Sequence, residues 1–200
     1  ENVPIIATEV MSISQAVAAC EVYMSVCDAT GKRPPFFLTH ITGVFDEYLH
    51  NDVAEAGEIQ PDILWQAGLI VARRQHSVIR DRGYDGVTML GGGVRGTHHL
   101  TELVGPKVHV TINWSPTAEE LLSADPPVVN RLETPASQAA LDELLSKVPT
   151  FRAAYEETAL AVDDYASFGP VAYFRSVFCD GWSNLVSAIQ VRPGGTTGRP

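Results

Sequence analysis

Cysteine is scarce in this chain of 200 residues: there are three, Cys20, Cys27 and Cys179. An odd count with no metal-ligand spacing argues against a disulfide framework. It points to free thiols in a reducing, cytoplasmic compartment. Positive charge is also short. Lys and Arg number 14 against 24 Asp and Glu, a formal net charge of −10. That balance argues against a nucleic-acid backbone or an anionic membrane surface as partner. No apolar run is long enough to span a bilayer. The N-terminus shows neither a basic region nor a small-residue cleavage site, so no signal peptide is expected. What remains is an ordinary globular mix, 45% hydrophobic and 19% charged, long enough for one sizeable domain with its own core.

Glycine, by contrast, is concentrated at one place. Leu90-Gly91-Gly92-Gly93-Val94-Arg95-Gly96 follows an apolar stretch, Gly86 to Leu90, that reads as a buried strand. It precedes Thr97 to Val104, which reads as one or two helical turns ending at Gly105. Glycines at a strand-to-helix turn let the backbone approach a ligand, and the first helical amides point at it. Arg95 adds a cation there. The plainer reading is a tight turn with a surface arginine.

The rest of the chain repeats strand and helix. Ile5–Met11, Phe36–His40, Gly86–Leu90 and Val108–Asn113 read as strands. Ser12-Ile13-Ser14-Gln15 fits a capping box that opens a helix through Met24. Gly43 opens another, and Ile63, Leu64, Ala67, Ile70 and Val71 support one long helix from about Gln60 to Arg80. Thr117-Ala118-Glu119-Glu120 is a second capping box. Ala136–Lys147, Thr150–Tyr165 and Pro170–Ile189 read as closing helices. This alternation means a parallel sheet with right-handed crossovers. Four strands do not close a barrel, which needs eight in this architecture. Two bare sheet edges would be an aggregation hazard, so both are expected to be covered by further protein.

Parallel strands bring their carboxyl ends to one face. That face carries Thr8 to Met11, Thr39-His40, Gly91 to Arg95 and Asn113-Trp114-Ser115. Hydroxyls, an imidazole, an amide and a guanidinium suit a small polar ligand. Each also has a bland reading: β-branched Thr8 and Thr39 fit strands, and His40 is as well explained by packing. His98 and His99 are adjacent on a helix, so they point to different faces and are not a metal motif. No metal and no cofactor are expected.

Taken in order, these stretches resemble the second half of a transaldolase, in the family that includes the bacterial fructose-6-phosphate aldolases. Ile5 to Ala16 resembles the family's fifth strand. Phe36 to Val44 resembles its sixth, Met89 to Arg95 the end of its seventh, and Leu103-Val104-Gly105 with Val110-Thr111-Ile112 the approach to its last helices. Phe174 to Phe178 with Trp182 to Leu185 resembles its closing helix. The resemblance implies an eight-stranded (β/α) barrel of the TIM type, residues 1–190 supplying strands five to eight and the C-terminal helices, with 191–200 a flexible tail. It implies a class I aldolase that forms a Schiff base between a lysine and a ketose. It implies a catalytic role for Thr8 and substrate binding by Thr39, His40, Gly93, Arg95 and Asn113.

Departures from the family's pattern accompany the match. The imine lysine belongs to a strand before this sequence, and Lys32, Lys107 and Lys147 do not replace it. The family's fifth-strand asparagine is Ile6 here. Its first phosphate-binding arginine is Val44, and its seventh-strand serine is Gly93. Valine cannot hold an oxyanion by two hydrogen bonds. Either the substrate lacks the usual phosphate, or His40, His98 or His99 takes over the duty. The expected partners are therefore a sugar or sugar-phosphate substrate, an N-terminal half-barrel or second chain carrying the lysine, and a further copy of the chain in a homo-oligomer. The losses also fit a divergent, non-catalytic binding or scaffold protein. A third reading is another phosphate-binding (β/α) barrel with Gly91 to Arg95 as its phosphate loop, which forms no imine.

Overall fold

A computed structural model describes residues 2–53 and 59–191; residues 192–200 of the expected tail lie outside the described residues. The four strands are β1 (Ile5–Ala7), β2 (Phe36–His40), β3 (Val87–Gly91) and β4 (Val108–Val110). All pairings are parallel, in the order β1-β2-β3-β4, with Ile5 beside Phe36 and Phe36 beside Val87. The strands stand where the alternation of the sequence puts them.

The closure implied by the resemblance is not there, and the barrel assignment is corrected. Among the described residues the sheet has four strands and is open: β1 and β4 each pair on one side only. Both edge strands are three residues long. β1 stops early because Glu9 turns to a positive φ of 61°, which leaves the extended region that a strand needs. Among the described residues the β1 edge is exposed, Ile5 by 46% and Ile6 by 62%.

Strand parity divides the sheet into two unlike faces. Phe36, Leu38 and His40 on β2, with Val87 and Met89 on β3, share one face. They pack with Cys20, Cys27 and Tyr23 of α1 (Ile13–Thr30) and Leu69, Ala72 and Ile79 of α4 (Ala67–Asp81). The other face carries Ile6, Phe37, Thr39, Thr88, Leu90 and His109. Among the described residues neither core cluster lies on it, and Phe37 and His109 meet edge to face there at 5.8 Å. Sheets of purely parallel strands are ordinarily covered on both faces, so this partly exposed face is the unusual feature of the fold.

A second core lies beyond the helices. Phe45 and Leu49 of α2 (Thr42–Val53) meet Ile70 and Val71 of α4, Leu144 of α7 (Gln138–Lys147), Phe151 of α8 (Pro149–Tyr155) and Val171 of α9 (Gly169–Val191). Val44, at the position of the family's lost arginine, is 3% exposed within this core.

Local signals explain the helix boundaries. Ser12 Oγ accepts the Gln15 amide at 3.1 Å, which is one half of the expected capping box, while Gln15 Oε1 accepts the Met11 amide at 3.0 Å instead of the Ser12 amide. Gly31, at φ 69°, ends α1 in the left-handed conformation. The single helix expected from Gln60 to Arg80 is two: α3 (Pro61–Leu64) and α4, parted at Trp65-Gln66. The helix after Glu119 is α6 (Glu119–Ala124), entered without a side-chain cap. No described helix is long and apolar enough to cross a membrane.

The thiols divide as the packing dictates. Cys20 and Cys27 are buried and Cys179 is exposed. Burial, helped by Glu21, pushes the Cys20 thiol up to about 12, and the thiolate is the reactive form. Titration of the native protein with an aromatic disulfide reagent is expected to show one fast thiol, the other two reacting only after unfolding. A second fast thiol would show that α1 lifts from the sheet.

Candidate functional site

At the carboxyl end of β3 the chain makes its glycine turn and enters α5 (His98–Thr101). The turn lies directly against the first turn of α2. A Cβ on Gly43 would sit 2.0 Å from the Gly93 carbonyl oxygen. Gly93 itself has a φ of 60°, a conformation that costs a residue with a Cβ. These two glycines place the Arg95 backbone beside α2.

Behind the turn lies a pair that the sequence reading missed. Asp46 of α2 and His99 of α5 are both completely buried, with His99 Nε2 2.7 Å from Asp46 Oδ2. The Arg95 amide donates to His99 Nδ1 at 3.0 Å. Nδ1 is thus an acceptor, the proton sits on Nε2, and His99 donates to Asp46. The other carboxyl oxygen, Oδ1, accepts the Gly68 amide at 2.5 Å. One side chain therefore ties together α2, the start of α4, α5 and the glycine turn. Burial pushes the Asp46 carboxyl up to about 8, against the Gly68 amide and the His98 and His50 imidazoles, which pull it down. Burial, with Arg95 nearby, holds His99 down at about 4.

His98 and His99 do not diverge as adjacent helical residues should. Their rings lie 4.0 Å apart, and Asp46, His98 and His99 bring one ligand atom each within 4.8 Å of one another. The donor set nevertheless suits a clamp better than a metal. A histidine bound through Nε2 carries its proton on Nδ1, and here that proton would face the Arg95 N–H.

The solvent side of the turn opens into a cleft of about 600 Å³. Trp65 and Asp62 of the α3 segment, Gln66, Arg95, Thr97, His98 and Glu120 of α6 line it. Arg95 Nε meets Glu47 Oε2 at 2.5 Å and Nη1 meets the Gly93 carbonyl at 3.0 Å, while Nη2 takes part in neither contact. The Tyr173 hydroxyl donates to the other Glu47 oxygen at 2.5 Å. Partial burial works to raise Glu47, but Tyr173 and Arg95 outweigh it and hold the carboxyl below its ordinary value. His98 donates from Nε2 to the Trp65 carbonyl at 3.2 Å. Burial and the neighbouring His99 hold it below its ordinary value, leaving Nδ1 as an acceptor. Trp65 packs its ring on His50 at 5.0 Å.

The residues singled out from the sequence thus separate. Arg95 lines the cleft, and Gly93 shapes it. Thr39, 4% exposed, stands on the partly exposed sheet face, its hydroxyl without a hydrogen bond among the described residues. His40 faces the helix layer and is fully buried, donating from Nδ1 to the Val10 carbonyl at 3.1 Å. It does not reach the cleft, and burial holds it down at about 4. Thr8 and Asn113 are exposed and outside the cleft lining. Of the three histidines considered for the lost phosphate contact, His98 alone lines the cleft. Trp65, Gln66, Asp62 and Glu120 were not anticipated; Gly68, inside the predicted long helix, instead marks the close approach of α4 to the Thr42 carbonyl, 2.4 Å from a Cβ placed there.

A larger groove, about 920 Å³, runs along α1 and β1. Ala18, Ala19, Val22, Val26 and Ile5 dominate its walls, with Gln15, Thr30, Lys32 and Tyr165 among the polar residues that line it. Comparison with protein families, with curated proteins and with solved structures finds no match to this chain.

Proposed function

We propose that this chain binds a small sugar or sugar phosphate in the Arg95 cleft. We assign that binding to a transaldolase-like class I aldolase reaction whose imine lysine comes from outside the chain. One observation carries the reading: an aromatic ring, Trp65, shares a cleft with Arg95, His98, Asp62, Gln66, Thr97 and Glu120. A ring face takes the C–H side of a sugar, while paired donors and acceptors take its hydroxyls. Arg95 supplies donors and Asp62 and Glu120 supply acceptors around that ring. The sequence motifs of the glycine turn support the same substrate class, and the free thiols suit a cytoplasmic setting.

The chain's own lysines lie elsewhere. Lys32 lines the α1 groove, Lys107 a separate hollow with Tyr84 and Asp85, and Lys147 pairs with Glu143 at 2.8 Å. A second reading, a binding protein without catalysis, is favoured by a different fact: Asp46, His99 and His40 are buried and engaged internally, out of reach of a substrate.

Calorimetric titration with fructose and with fructose 6-phosphate tests the site. Arg95→Ala and Trp65→Ala are each expected to weaken binding about tenfold, one hydrogen bond or one ring face being worth about 1.4 kcal/mol. Because Glu47 already offsets the guanidinium, Arg95→Ala should affect both sugars alike. Wild-type affinity in both variants would remove the cleft from the site. Borohydride treatment of the sugar-bound protein together with its lysine-bearing partner separates the readings: a trapped adduct supports the aldolase, binding without an adduct the binding protein.

A further inference from the structure

The last helix leaves the body of the protein part-way along its length. Its first turns dock on α2: Val171 is 7% exposed and Tyr173 donates to Glu47. From Arg175 to Gln190 every residue but Val186 is exposed. That free stretch is not polar. Between Ser176 and Val191 the only charged residue is Asp180. Phe178, Trp182, Leu185 and Ile189 are 64%, 67%, 52% and 64% exposed. At about 100° per residue, all four fall within an arc of about 60°. On the flank of that arc, nothing lies within 4 Å of where a Cβ of Gly181 would be. An apolar stripe of this extent on a free helix marks a contact surface.

We propose that this stripe is the contact of a homodimer, with α9 of one copy lying antiparallel on α9 of a second copy. The spacing of the four residues is four, three, four, the same read from either end. A twofold axis crossing the helix between Ser183 and Asn184 therefore maps the stripe onto itself. Phe178 meets Ile189 of the second copy, and Trp182 meets its Leu185. Self-complementarity of this kind is what a closed twofold contact requires, and alternation of three and four is the seam of a two-helix coil. Charge favours a second copy as the occupant. The chain carries −10 in all but a single acid on this stretch, and the twofold sets Asp180 opposite Ser187 rather than opposite itself. Area agrees. Four side chains of roughly 200 Å² each, about 60% exposed, give on the order of 1,000 Å² over both copies. That lies at the low end of specific interfaces, as expected for a dimer that dissociates on dilution.

Sedimentation velocity across a wide range of concentration is expected to show monomer and dimer in exchange. Leu185→Asp is expected to weaken association at least about a hundredfold, as for a residue at the centre of an interface. Val22→Asp, in the α1 groove, should leave it unchanged. These positions are exposed, and circular dichroism verifies that the fold is kept. For the orientation, Cys179 is first replaced by serine. Phe178→Cys and Ile189→Cys chains mixed under mild oxidation should then join to each other, since a disulfide needs Cα atoms within about 7 Å. Phe178→Cys chains alone should stay unlinked. A monomer at every concentration, a dimer that survives Leu185→Asp, a dimer abolished by Val22→Asp, or linkage of Phe178→Cys chains to themselves would each overturn the proposal.

Discussion

Replacing Asp46 by alanine is expected to lower the stability of the protein by about 2–6 kcal/mol, although Asp46 lies outside the lining of the cleft. Two buried donors lose their acceptor in that variant: the Gly68 amide, 2.5 Å from Oδ1, and His99 Nε2–H, 2.7 Å from Oδ2. Each orphaned buried donor costs about 1–3 kcal/mol. Asp46→Asn separates this account from simple packing. The amide keeps the size of the carboxyl but offers one oxygen and one NH2. His99 cannot adapt by moving its proton, because the Arg95 amide already donates to Nδ1. The NH2 must therefore face a donor, and asparagine should recover about half of the loss at most. Chemical denaturation of the three proteins measures the effect, and nitrogen-15 shifts of the His99 ring report its tautomer. An Asp46→Asn variant as stable as wild type, or a His99 protonated at Nδ1, would refute the clamp. Loss of the clamp also frees the Arg95 turn, so the sugar binding proposed for the cleft should weaken in step with stability.

The difference between what could and could not be read from the sequence follows from the range of each interaction. The strands and α1 were legible because their causes are local: apolar runs such as Phe36 to Leu38 and Val87 to Leu90, and the Ser12–Gln15 cap. Closure of the sheet was not. Nothing within β1 or β4 states whether a fifth strand lies beside it, and the resemblance supplied a barrel where the protein has an open sheet. The early end of β1 depends on one backbone angle at Glu9, which no residue pattern there signals. His40 was misplaced for a reason the sequence did contain. It shares parity with Phe36 and Leu38, whose burial turns it toward the helices rather than the ligand face. Asp46 was invisible because its partners stand 22 and 53 residues away. An acid between Phe45 and Glu47 reads as a helix surface until Gly68 and His99 are brought beside it. Trp65 became part of a cleft only where the expected long helix breaks.

The same chemical change at two glycines should have opposite signs, and the larger effect lies at Gly43. A Cβ there would stand 2.0 Å from the Gly93 oxygen and 3.0 Å from the Arg95 nitrogen. Both are backbone atoms, so no side-chain rotation relieves the overlap. Either the first turn of α2 or the glycine turn must move. Moving either one strains the Gly43 amide contact to the Gly92 carbonyl, 3.4 Å, and the Arg95 amide bond to His99. Gly43→Ala is therefore expected to cost at least about 3 kcal/mol, a fall in melting temperature of roughly 6–12 °C for a protein of this size. It should also abolish the sugar binding proposed for the Arg95 cleft, because the turn that carries the guanidinium is displaced. Gly181→Ala is the counterpart. That residue is helical, and nothing lies within 4 Å of its Cβ position. The only change there is the lower chain entropy of alanine in a helix, worth about 1 kcal/mol of added stability. Thermal melts of both variants, recorded on dilute protein so that association does not contribute, decide the matter. If Gly43→Ala melts within a degree or two of wild type, the close crossing of α2 and the glycine turn is not what holds Arg95 in place.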